Sequence, residues 1–428
     1  MGISAIRNSI FEALSQKFFY GWTMLFVAGL GIFTSGAGQS HTFAVFFLPI
    51  QEDLGVSSGE VASAYAFATL IASFGLPFMG RLVDKHGPRR MTLVVVSLLG
   101  LACFFFGAAA NLLWLGLGFM ALRFLGQGSL MLNSSNMVAK WFDRKRGFAM
   151  GLMALGFAVS MAVHPFMGQL LIEYFGWRNA WFALGLVTWL TMLPLVLLLV
   201  HNTPEAVGLR PDGEAPAGGA TTNSAASKGL TLGEAFRTPT FHIVWIGMFS
   251  IAMLVTVCHL FQVAIFASHQ LSAYVATAAF AVSAVTMVAC MPLVGRMLDR
   301  FPTRYVFAAG MLITAASLVA ATLVRDLPTA VIYALIFGSN NAFSMTLFGY
   351  MWPRYFGRLH LGSVQGAGQT IGVVGASLGA PAVGYAHDWL GGYEAPLQMM
   401  AIYPAVWAVV VIFTLRTPRQ LDENHPLD

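Results

Sequence analysis

The sequence predicts an all-α membrane protein whose twelve transmembrane helices fall into two pseudo-symmetric six-helix bundles. Three observations carry the prediction: composition, the number of apolar runs, and a cassette that occurs twice. Of the 428 residues, 57% are hydrophobic and only 10% charged, with a mean hydropathy of +0.72, whereas soluble domains carry about 25% charge. Runs of roughly 20 apolar residues, enough to cross about 30 Å of hydrocarbon, occur twelve times. The cassette Gly80-Arg81-Leu82-Val83-Asp84 returns as Gly295-Arg296-Met297-Leu298-Asp299, 215 residues later (295 − 80), about half a chain length on, and each copy follows a proline three residues upstream, Pro77 and Pro292.

In chain order, a short tail over 1–17 mixes Arg7, Glu12 and Lys17 with apolar residues and lacks the layout of a cleaved signal, so the first run is expected to remain as a span. The first six spans are expected at 20–48, 59–82, 91–110, 112–138, 148–172 and 179–200, and the last six at 241–268, 273–297, 304–324, 328–352, 362–386 and 395–415. Turn-forming or charged breaks separate them, among them His86-Gly87-Pro88, Asp143-Arg144-Lys145-Arg146, Phe301-Pro302 and Gly391-Gly392. Helices are the expected form because lipid offers no partner to an unpaired backbone group. Residues 201–239 interrupt the pattern with Pro204, Pro211, Pro216, Gly218 and Gly219, and read as a flexible linker between bundles at 18–200 and 240–416, with a C-terminal tail over 417–428.

Charge orients the chain. With both termini in the cytoplasm, the inner side holds 20 of the 23 Lys and Arg, the outer side holds Arg178 and Arg325, and Arg123 lies within a span. Positive loops stay inside, so both termini are expected to be cytoplasmic in a multi-pass protein of the inner membrane. The basic residues sit in breaks between apolar runs rather than on a soluble face, which argues against a nucleic-acid partner. Cys103, Cys258 and Cys290 fall inside apolar runs without ligand spacing, and no His-x-x-x-His pair occurs, so neither a metal nor a cofactor is expected. No nucleophile, base and orienting acid are grouped, so the chain does not read as an enzyme.

The echo between halves extends past the cassette. Lys140-Trp141-Phe142 returns as Arg354-Tyr355-Phe356, and Pro165-Phe166-Met167-Gly168 as Pro381-Ala382-Val383-Gly384. With Lys85-His86-Gly87-Pro88-Arg89-Arg90 completing its first copy, the cassette resembles the loop between the second and third helices that marks the major facilitator superfamily of secondary transporters, whose halves are related by parallel repeats. Within that superfamily, Tyr20-Gly21-Trp22, Phe46-Phe47-Leu48-Pro49-Ile50, Trp141-Phe142 with Arg144-Lys145-Arg146-Gly147, and Gly176-Trp177-Arg178 are similar to the monocarboxylate and oxalate carrier branch. The resemblance implies a monomeric secondary active transporter that moves a small organic anion, a monocarboxylate first, by alternating access of its two halves with proton symport. Neither residues 273–294 of the eighth span nor residues 362–386 of the eleventh include Lys or Arg. That departure keeps a neutral or aromatic, vitamin-sized solute open as the alternative, and a transport-dead membrane sensor stands as a third reading.

The resemblance also implies roles. Gly80, Asp84, Arg89 and Arg90, with Gly295 and Asp299 in the second copy, would form a conformational latch: Gly80 lets helices approach closely, and Asp84 meets the N-terminus of the eleventh helix near Leu361. Arg123, followed by Gly126-Gln127-Gly128, would serve proton coupling or substrate contact, since a charge at that depth costs about 2.5–3.5 kcal/mol unless it faces protein or water. The first, fourth, seventh and tenth helices of such a fold face the substrate path, which makes Gln39, His41, Arg123, Gln127, His259, Gln262, Asn340 and Asn341 candidate contacts, joined by Ser283, Gln365 and Gln369 from the eighth and eleventh. No Asp or Glu lies deep in a span. His41, His164 and His259 are therefore the groups left to carry a proton, with an ordinary pKa near 6.5.

Overall fold

The computed structural model describes residues 3–142, 145–213, 229–357 and 361–416. The Asp143-Arg144 pair, most of the central linker and the C-terminal tail lie outside the described residues, as do the side chains of Asp84, Gln365 and Gln369.

Helix is the dominant structure. A short α1 (Ile3–Ser15) precedes α2 (Gly21–Thr34) and α3 (Ser40–Leu54), which share one membrane crossing interrupted by a 3-10 turn over Ser35–Gly38. Then come α4 (Ser58–Gly107), α5 (Leu112–Leu122), a π-helical stretch Arg123–Leu130, α6 (Met131–Trp141) and α7 (Arg146–Leu199). The second half runs through α8 (Leu232–Phe236), α9 (Pro239–Ser268), α10 (Ala273–Arg300), α11 (Thr303–Thr322), α12 (Leu327–Phe356), α13 (Leu361–Leu390) and α14 (Glu394–Thr414).

Ten helical segments among the described residues are long and apolar enough to cross a bilayer. One of them, Phe148–Leu199, has 52 residues, or about 78 Å at 1.5 Å per residue, more than twice the hydrocarbon thickness. It must fold back on itself, and Gly176 supplies the joint with φ 74° and ψ 162°. Gly87 does the same inside α4 with φ 80° and ψ 156°. This corner of backbone space is open almost only to glycine. Counting Phe148–Leu199 as two crossings, and adding α13, yields the twelve spans that the hydropathy pattern predicts.

The duplication reaches the joints. Gly55 and Gln270, 215 positions apart, close their helices in the same left-handed conformation at φ 63° and 62°, and Gly176 and Gly391, also 215 apart, share φ values of 74° and 72°. The two cassettes differ at this level. Where the first turns on Gly87, the second turns on Phe301 and Pro302 in ordinary extended conformations, φ −117° and −53°. The second copy lacks the glycine because its backbone does not enter the region that requires one.

The chain divides into two compact units, Met1–Leu54 with Phe67–Thr221 and Gly55–Ala66 with Thr222–Asp428. In the first, α2 packs on α6 and α7, and the 3-10 turn packs on the π-helical stretch; in the second, α10 packs on α12, α11 on α14 and α9 on α13. Aromatic side chains fill the first core, with Phe43, Phe46 and Phe106 gathered on the Trp181 ring at centroid distances of 5.6, 4.7 and 4.6 Å. Trp177 is buried too, and its neighbour Arg178 pairs with Asp53 at the end of α3 and donates to Ala109 O at 3.2 Å. Those contacts account physically for the Gly176-Trp177-Arg178 run: a joint, a buried ring and an ionic tie to the first crossing.

Candidate functional site

In the first unit the site is organised by two breaks in helical regularity. Where the 3-10 turn Ser35–Gly38 gives way to extended Gln39, at φ −98° and ψ 150°, carbonyls lose their usual partners four residues on. At membrane depth those oxygens need replacements. Gly36 O accepts from the Gln39 N–H at 3.0 Å and from Thr42 Oγ1 at 2.5 Å, and Arg123 Nη1 donates to Gly38 O at 3.0 Å. The Arg123 guanidinium also reaches Thr69 Oγ1 (3.1 Å) and Ser40 Oγ (3.5 Å) and is 3% exposed. Arg123 opens the π-helical stretch, a feature often found at functional positions. The backbones there nearly touch: a Cβ on Gly38 would lie 2.9 Å from Gln127 N and 3.0 Å from Gly126 Cα. The Gly126-Gln127-Gly128 run thus has a packing reason beside Arg123. Gln127 itself is half-buried, and its side chain makes no hydrogen bond among the described residues.

A second group lies in the same unit. His41 Nε2 is 3.1 Å from Ser160 Oγ, which is 3.1 Å from His164 Nδ1, and all three residues are buried. His164 Nδ1 also lies 3.3 Å from its own helix's carbonyl at Ser160. Phe157 and Phe33 flank the pair, with the two imidazole centroids 6.5 Å apart. A serine hydroxyl both donates and accepts, so it can bridge two imidazoles in either direction. Gln39, 4% exposed, donates to Ser35 Oγ at 3.4 Å and to Met131 Sδ at 3.2 Å.

The candidates in the second unit are buried as well. His259 Nδ1 lies 2.9 Å from Val255 O, and its ring sits against Phe337 and Phe280. Gln262 is fully enclosed: its amide donates to Ala276 O at 2.8 Å and accepts from Tyr333 Oη at 3.0 Å. Ser283 donates to Ala334 O at 2.9 Å. Asn340 accepts from Thr314 at 2.8 Å, leaving its Nδ2 buried without a partner; Asn341 donates to Phe337 O at 2.9 Å, leaving its Oδ1 likewise. Unpaired amide atoms of this kind are the places where a ligand can add hydrogen bonds.

The candidate latch residues are found in unequal settings. Arg89 is anchored, donating from Nη2 to Leu197 O at 3.2 Å, while Arg90 and Asp299 are exposed. Around Gly80 the described residues leave room for a side chain. A Cβ there would have its nearest neighbour 4.0 Å away, and one on Gly295 would meet nothing within 4 Å. Tight glycine contacts are found elsewhere, at Gly38 and Gly126 and also where a Cβ on Gly156 would run into Gly29 O. Sequence reading missed Ser160, Thr69 and Asn133. Ser160 had a signal, since it stands one helical turn before His164 in an otherwise apolar run. Thr69 and Asn133 had none, although Asn133 is fully buried on α6 with neither amide atom bonded.

Residues 25–267 and 244–427 match the family model of the Major Facilitator Superfamily. The chain belongs to that superfamily. It is a multi-pass membrane protein of a transporter family, as the cassette suggested. Among curated proteins it is similar to a multi-drug resistance efflux pump PmrA homolog of Lactococcus lactis subsp. lactis, 32% identical over 43% of this chain and 45% of that protein. It is also similar to the oxalate:formate antiporter of Oxalobacter formigenes, 25% identical over 50% of this chain and 48% of that one. These matches span about half the length of each relative. Among solved structures, a bacterial homolog of the human lysosomal transporter Spinster, described as inward-facing and unoccupied, superposes with a TM-score of 0.68 over 92% of this chain and 95% of its own at 18% identity. At that identity the likeness speaks for the fold alone.

Proposed function

We propose that the protein is a secondary active transporter of small organic anions, monocarboxylates first, that works by alternating access and is coupled to protons. The observation that carries the reading is the His41–Ser160–His164 chain, with both links at 3.1 Å. In one polarity His41 Nε2–H donates to Ser160 Oγ, whose O–H donates to His164; in the other both bonds reverse. Passing a proton along the chain converts one into the other. The buried Arg123 supports an anionic cargo, and likeness to an oxalate:formate antiporter agrees with it. In this reading the protein lies in the inner membrane with both termini cytoplasmic, and Gly80, Asp84, Arg89 and Arg90 with Gly295 and Asp299 form its latch.

A neutral or aromatic solute is the second reading. It is favoured by the neutral amides Asn340 and Asn341, which have unpaired atoms in the second unit, and by likeness to a drug efflux pump.

Reconstitution into liposomes tests both. Uptake of oxalate, formate and larger carboxylates is measured beside neutral aromatic compounds, with and without an imposed pH gradient. Wild type is expected to concentrate a carboxylate only under the gradient. Ser160→Ala is expected to lose that accumulation while retaining exchange of labelled for unlabelled substrate. Accumulation by Ser160→Ala equal to wild type rejects the relay, and uptake of neutral compounds alone rejects the anion.

A further inference from the structure

The packed face of α1 contains an unexpected charge. Ile10, Phe11 and Leu14 are half-buried, and Arg7 shares their face, one turn before Phe11. The helix lies on the end of α7. There the Phe11 ring sits 5.1 Å from the His201 ring, which Tyr20 flanks at 5.6 Å while donating to Leu199 O at 2.7 Å. Arg89 reaches the same place from α4: its backbone N–H donates to Asn202 Oδ1 at 3.1 Å and its Nη2 to Leu197 O. Arg89 and His201 therefore meet at residues 197–202, and Arg7 stands close enough to repel the charged forms of both. Among the described residues no carboxylate lies within ion-pair distance of Arg7 or Arg89.

The carbonyls at the end of α7 take part of this charge, as a helix C-terminus does, but they do not use all the nitrogens. Arg7 Nε, Arg89 Nε and His201 Nε2 are each buried without a protein partner, and His201 is only 6% exposed. Burial, with Arg7 and Arg89 adding repulsion, pushes the His201 imidazole down to about 4. A bound anion would offset both costs. On the outer side of this corner Ile6 and Phe18 are 39% and 41% exposed, an apolar surface suited to the bilayer interface.

We propose that Arg7, Arg89 and His201 form a binding site for a phosphate-bearing anion, either the headgroup of an anionic lipid or a free phosphate. Guanidinium forks suit phosphate oxygens, and α1 serves as the cover that brings Arg7 to them. The inference is independent of the cargo and of proton coupling.

The test uses the full-length protein in detergent, with phosphatidylglycerol, phosphatidylcholine and inorganic phosphate in separate titrations, read by lipid retention in native mass spectrometry and by thermal unfolding. Phosphatidylglycerol is expected to be retained and to raise the unfolding temperature, with phosphatidylcholine doing neither. Arg7→Gln is expected to weaken that binding about tenfold, the loss of one charge-assisted hydrogen bond, and Arg7→Lys to restore part of it. Lys17→Gln, an exposed charge nearby, is expected to change nothing. Stabilisation by inorganic phosphate as well as phosphatidylglycerol supports the site and shows that the phosphate group suffices; stabilisation by one alone identifies the source. Failure of both, or equal losses in Arg7→Gln and Lys17→Gln, overturns the site.

Discussion

Arg123 shows how a single residue acquires two explanations. A charge within a span suggests function, and the structure adds a local cause, because the interruption of α2 leaves the Gly38 carbonyl in need of a donor and Arg123 Nη1 supplies it at 3.0 Å. The guanidinium bonds Thr69 and Gly38 through different nitrogens. A lysine retains the charge but has no rigid fork with which to hold both. Arg123→Lys is therefore expected to lower stability by about 1–3 kcal/mol, the cost of leaving a buried polar group unsatisfied, as measured by thermal unfolding in detergent. An unchanged unfolding temperature would assign the residue to transport alone.

Elements are set by their joints. The 52-residue stretch Phe148–Leu199 is helical almost throughout, yet Gly176 divides it in a backbone conformation that side chains resist. Gly176→Ala is expected to destabilise the protein by about 1–3 kcal/mol, whereas Gly151→Ala, a helical glycine with nothing within 4 Å of an added Cβ, is expected to be neutral or slightly stabilising. The reverse case is Gln270, a left-handed residue at the position where the first half has Gly55. Gln270→Gly removes that strain, though it frees the unfolded chain. A gain, or no change, in unfolding temperature is expected, and a marked loss would show that the side chain makes an essential contact. These pairs show why duplicated halves can drift in sequence. What is inherited is the backbone turn, and glycine is one of several ways to make it.

At the scale of the whole molecule, orientation rests on charge. Fusing a reporter that is active only in the cytoplasm after residue 416, or after residue 213 in the linker, is expected to yield full activity, and fusion after Gly176 none, since Lys and Arg concentrate on the side that holds both tails. Activity at Gly176 would invert the topology. The twelve spans, their punctuation at Gly87 and Gly391, and the relation between halves could all be read from the chain, because lipid makes hydropathy and helix pairing nearly decisive on their own. The site was legible only in part. His41, His164 and Arg123 stood out as polar residues in apolar runs. Ser160 and Thr69 did not, since a hydroxyl in a membrane helix usually satisfies itself on its own backbone and shows its role only when another helix brings a partner to it. The same holds for Arg7, which in the sequence is one charge in an unremarkable tail. Composition and periodicity determined which segments cross the membrane, because that property depends on each residue's own transfer free energy. Which side chains meet, and which are left unpaired, was decided by the tertiary structure, since His41 and Ser160 are 119 positions apart and only packing between helices sets distances of that kind.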